Sequence, residues 1–106
     1  MYRYFHVSTE CLSNTWNTKD IEAYLLNRED FNNDRLGAFT HNSIFLSVQL
    51  MLVKDHNSWS SNDYNNDETN YVSIVTSHVV ETVAMQFLQN FETFIGRQII
   101  EETDTD

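Results

Sequence analysis

The amino-acid sequence predicts an α+β fold, a small antiparallel sheet with helices packed on one face in the order β-α-β-β-α. Three observations lead there. Residues 44–53 alternate, with Ile44, Leu46, Val48, Leu50 and Leu52 on one side and Phe45, Ser47, Gln49, Met51 and Val53 on the other. That is the period of a strand apolar on one face. After Ser77 the period lengthens: Val80, Ala84, Phe87, Leu88, Phe91, Phe94 and Ile95 recur at helical spacing and make one wide apolar stripe. Finally, 106 residues with fourteen aromatics (seven Phe, five Tyr, two Trp) suit one domain with a single modest core. The alternative is a mainly helical bundle, because Ile44, Phe45, Val48, Met51 and Leu52 also fit a period of 3.6. It requires residues 43–53 and 70–76 to be helical.

Each element has its own warrant. Tyr2–Ser8 alternates Tyr2, Tyr4 and His6 against Arg3, Phe5 and Val7, an aromatic-rich strand. Its aromatics are assigned to core packing. Thr18–Asn27 reads as a short helix, with Thr18 as its cap, Asp20 and Glu22 near its positive end, and Ile21, Tyr24 and Leu25 on one face. Residues 28–42 read as irregular, with Asn32-Asn33-Asp34 and Gly37 as turn chemistry. Lys54–Asn70 is the most polar stretch and reads as a solvated loop. Tyr71–Thr76 is β-branched and becomes the antiparallel partner of the 44–53 strand. The long helix presents His78, Thr82, Gln86, Gln89 and Thr93 outward, and Gly96 stands where it can end. The globular domain is placed at residues 1–100, followed by a frayed acidic tail over 101–106.

Charge is distributed unevenly. Residues 1–54 carry a net −1, whereas residues 55–106 set ten acids against Arg97 alone, a net −9. Such a field repels nucleic acid and anionic membrane and attracts basic protein surfaces. The longest apolar runs, Ile44–Leu46 and Leu50–Val53, are far short of a membrane span. The opening Met1-Tyr-Arg-Tyr-Phe-His has no signal-type apolar core, Cys11 is the sole cysteine, and no Asn-x-Ser/Thr sequon occurs. A cytoplasmic location is expected, that of the host if the chain is viral.

The chemistry motifs fail one after another. Asp30–Asp34 and Asp63–Asp67 each begin like a calcium loop, but Arg35 and Glu68 stand where the loop needs Gly, and His41 and Ile74 where it needs Glu. His56 beside Asp55, Asp63 and Asp67 offers at best weak metal ligation, so no metal and no cofactor are expected. Cys11 has no basic neighbour to lower its pKa and reads as a buried, inert thiol. Glu81 and Glu92 lie about 16 Å apart on one helical bearing, too far for a carboxylate dyad. The chain is therefore read as a non-enzyme. Six basic residues make no phosphate footprint, which excludes direct nucleic-acid binding.

Recognition of a basic protein surface remains. The first reading is a phage or mobile-element inhibitor of a nucleic-acid-handling protein, with carboxylates imitating phosphates in the manner of anti-restriction and anti-CRISPR proteins. The second is an immunity- or antitoxin-type plug of a toxin active site, and a third is a scaffolding role or acidity that serves solubility alone. The candidate partner-binding residues are Asp55, Trp59, Asp63, Tyr64, Asp67, Glu68, Glu81 and Glu92, with Trp59 and Tyr64 as aromatic anchors. A homodimer through the surplus of the 80–95 stripe is a further expectation.

Overall fold

The computed structural model describes residues 2–11, 13–53, 64–79 and 81–102. Six strands form an antiparallel sheet in the order β3-β4-β5-β7-β1-β8: β1 Tyr2–Ser8, β3 Phe31–Arg35, β4 Ala38–His41, β5 Leu46–Met51, β7 Tyr71–Ser77 and β8 Ile100–Glu102. A two-stranded ribbon pairs β2 (Trp16–Asn17) with β6 (Glu68–Thr69), and the helices are α1 (Thr18–Asn27) and α2 (Thr82–Ile95). The α+β expectation holds and the helical bundle does not, because the β-branched and alternating segments 46–51 and 71–77 pair along their whole length.

Alternation sorts the sheet into two faces. Phe5, Val7, Phe31, Phe39, Leu46, Val48, Leu50, Val72 and Ile74 are buried on one of them. Ile21, Tyr24 and Leu25 of α1 and Ala84, Phe87 and Phe91 of α2 join them in one core. Both helices thus cover a single face, as their apolar stripes require. Tyr24 stacks on Phe94 with centroids 4.1 Å apart and meets Phe91 at 5.9 Å, so α1 and α2 touch through aromatic rings. Gly96 closes α2 in the left-handed conformation at φ +77°.

Four expectations about elements are corrected. Residues 28–42 are not irregular: Phe31 and Phe39 bury their rings and draw the segment into the β3–β4 hairpin at the sheet edge. Its remaining β3 side chains are exposed, which masks the strand period. Asn17, not Thr18, caps α1, its Oδ1 accepting the Lys19 amide at 2.9 Å and the Asp20 amide at 3.3 Å. The polar stretch ends in β6. Glu101 and Glu102 belong to β8, paired with β1, where Arg3 donates to both Glu101 oxygens at 2.6 and 2.7 Å. That bidentate pair holds the Glu101 carboxyl below its usual range and offsets the charge of an edge strand.

Candidate functional site

The residue that organises the acidic edge is neutral. Asn65 Oδ1 accepts the amides of Asp67 and Glu68, each at 2.8 Å, and so fixes the backbone that carries both carboxylates. Buried Thr18 donates its hydroxyl to the Asn65 carbonyl at 2.9 Å, shares a 2.7 Å bond with Thr69, and its amide donates to the Asp67 carbonyl at 3.2 Å. These bonds tie the first turn of α1 to β6. Glu68 consequently pairs with Asn17 across the ribbon, and exposed Asp20 follows within one turn. Asp20, Asp67 and Glu68 share one edge although some fifty residues separate them in sequence.

Lys19 does not neutralise this edge. Its Nζ donates to Asn66 Oδ1 at 2.6 Å and lies 3.8 Å from Glu22. Glu22 in turn accepts the Tyr64 hydroxyl at 2.8 Å. Burial first, then that bond and the charges of Glu22 and Asp67, push the Tyr64 phenol up to about 12. An apolar hollow of about 500 Å³ adjoins the edge. Trp16, Ile21, Tyr24, Phe94 and Ile95 line it, with Asp20 and Arg28 also at its wall. It lies where α1 leaves the ribbon and α2 ends, and its wall carries one acid, Asp20, and one base, Arg28, around an apolar lining.

The predicted residues scatter. Asp67 and Glu68, neighbours in sequence, are both exposed at the ribbon. Tyr64 is half-buried, bonded to Glu22 and packed against Gly37, so only part of its ring faces outward. Glu81 occupies the N-cap position of α2 at the opposite end of the sheet from the ribbon. Glu92 turns inward, its Oε2 accepting the Ile99 amide at 2.8 Å, and thereby shapes the chain reversal into β8. Asp55, Trp59 and Asp63 lie outside the described residues, as does His56, read above as at best a weak metal ligand. In the first calcium-like stretch, Asp30 accepts from Asn42 and Asp34 from Thr40, so those carboxylates serve the hairpin. Cys11 is exposed rather than buried, and its thiol, bonded to Ser13 Oγ at 3.1 Å, is lowered by that bond.

Asp20 escaped the sequence reading as a member of the edge, since bonds between residues some fifty positions apart, among them Thr18–Asn65 and Thr18–Thr69, bring α1 against β6. That reading also placed Tyr2 and Tyr4 in the core. Both are about half exposed, at 50% and 47%, because they alternate with Phe5 and Val7 onto the sheet face away from the helices. The alternation itself was the available signal. No protein-family model matches the chain, and comparisons with curated proteins and with solved structures gave no significant match.

Proposed function

We propose that this chain is a small acidic protein-binding inhibitor that docks its α1–β6 edge onto a basic surface of a nucleic-acid-handling protein. One observation carries the reading: hydrogen bonds from Thr18 and Asn65 hold the first turn of α1 against β6, so that exposed Asp20, Asp67 and Glu68 flank the α1–β6 junction, with Asp20 also at the wall of the apolar hollow. Lysines and arginines evolved to meet phosphates pair with carboxylates by the same charge-assisted bonds. The hollow adds a receptor for one apolar side chain, the kind of anchor that concentrates binding energy. A net charge of −10 steers such a partner toward the chain and keeps nucleic acid away. A cytoplasmic setting suits partners of this kind. No described helix is long and apolar enough to cross a membrane.

The plug reading relied on Trp59 and Tyr64, and only part of the Tyr64 ring faces outward, so the carboxylate surface is the better supported of the two. Capture on the immobilised chain from a lysate tests the proposal. Basic nucleic-acid-binding proteins should be retained, released by about 0.5 M salt because exposed ion pairs are screened, and displaced by duplex DNA. A variant with Asp20→Asn, Asp67→Asn and Glu68→Gln should lose them. Capture that survives the triple substitution, or that DNA does not reduce, would overturn the reading.

A further inference from the structure

The second face of the sheet carries a different message. Among the described residues no helix covers it, and an antiparallel sheet open to water normally shows polar, charged side chains there. Strand register fixes what this face displays. One row holds Tyr2 and Ser77, with Phe45 alongside. The next runs Glu102, Tyr4, Val75, Ser47, Thr40 and Asn32, and a third runs Ile100, His6, Ser73, Gln49, Ala38 and Arg35. Lysine is absent from these rows, and their charges are Glu102, with His6 beside it, toward one margin and the opposite charges of Asp34 and Arg35 at the other. Tyr2, Tyr4, Phe45 and Ile100 are each about half exposed.

The relief is as telling as the chemistry. Tyr2 and Phe45 stack with centroids 4.8 Å apart and interplanar angle 13°, a single raised block at one end of the face. Beside it lies a hollow of about 450 Å³ whose lining includes Ala38, Thr40, Ser47, Ser73 and Val75, with Asp34 and Arg35 also at its wall. Small side chains in central strands thus create a recess next to a protrusion. Block and recess on one surface are what an isologous interface requires, since each copy must offer both halves of the contact.

We infer that this face is the contact surface for a second copy of the chain. The two sheets would pack face to face about 10 Å apart, as sheets do. A two-fold axis in the plane between them, running across the strands, sets each Tyr2–Phe45 block over the other copy's recess. The area is of the right order: six strands averaging about 18 Å in length at about 4.8 Å spacing give roughly 500 Å² per copy, at the lower limit for a weak, specific pair. The nearly neutral rows allow two chains of net charge −10 to meet there, while the long-range repulsion between them is screened by salt. A nucleic acid does not fit the face, which lacks a basic track for phosphates.

Sedimentation of the full chain across concentration and salt tests the inference. We expect a monomer–dimer equilibrium with a midpoint between about 1 and 100 µM, the range of a small interface, tightening as salt rises. Ser73→Glu puts a carboxylate into each recess and should weaken the dimer by more than about a hundredfold, because two unpaired charges are desolvated. Phe45→Ala should weaken it by at least about tenfold through loss of the raised block. Met85→Glu, on the exposed side of α2, should leave it unchanged. A monomer up to about 1 mM at high salt overturns the inference. So does a dimer that ignores both face variants, or one that Met85→Glu dissociates.

Discussion

Gly37 holds φ +77° at the β3–β4 turn, and a Cβ there would lie 2.6 Å from Tyr64 Cδ1 and 3.1 Å from the Leu50 carbonyl oxygen. The Leu50 amide also donates to the Gly37 carbonyl at 2.8 Å, so the turn cannot drift away from β5. Gly96 has the same φ but nothing within 4 Å of a Cβ. The pair separates conformation from crowding. Gly96→Ala should cost about 1 kcal/mol, the left-handed penalty alone. Gly37→Ala adds a clash with a ring pinned by its bond to Glu22 and should cost about 3 kcal/mol. Chemical denaturation of both variants checks the difference; equal losses would mean that Tyr64 yields freely. Side-chain roles of this kind escape sequence reading. Nothing near Tyr64 in the chain reveals that its ring meets the glycine of the β3–β4 turn.

At the scale of elements, β1, α1, β5, β7 and α2 were legible because each buries one face, and burial writes a period into the residues. The edges were not. β3 buries Phe31 alone, and its other positions, Asn32 to Arg35, are exposed. β8 exposes all three of its residues and is held by pairing with β1 and by Arg3. A charged or asparagine-rich edge resists association with other sheets, at the expense of the pattern that identifies a strand. The α2 stripe also looked too wide for one sheet, which suggested a dimer through it. Ala84, Phe87 and Phe91 are in fact buried in the chain's own core, Leu88 and Ile95 pack against it, and Phe94 stacks on Tyr24. Of the described stripe, Phe94 remains 38% exposed. One buried polar side chain completes β5: Asn70 accepts the Val53 amide at 2.7 Å and donates to the Val53 carbonyl at 2.8 Å, standing in for a missing strand partner. Asn70→Ala should cost roughly 2–4 kcal/mol, since two buried backbone groups lose their partners. A loss below about 1 kcal/mol in a denaturant titration would show that water takes over both bonds.

For the whole molecule, the sheet divides the surface into unlike parts: helices over one face, nearly neutral rows on the other, and exposed Asp20, Asp67 and Glu68 at the ribbon. The sequence located the excess charge in the second half but could not see α1 contribute Asp20 to the same edge, because tertiary hydrogen bonds made that edge. The two proposed contacts respond to salt with opposite sign, the partner surface weakening and the self-contact tightening. The acidic edge is tested most directly by an amide-resolved NMR titration of the isotope-labelled chain with a hexa-arginine peptide at low salt. Shifts should concentrate at residues 17–22 and 64–69 and vanish at about 0.5 M salt. Shifts centred on β8, or spread evenly over all acidic residues, would contradict that expectation.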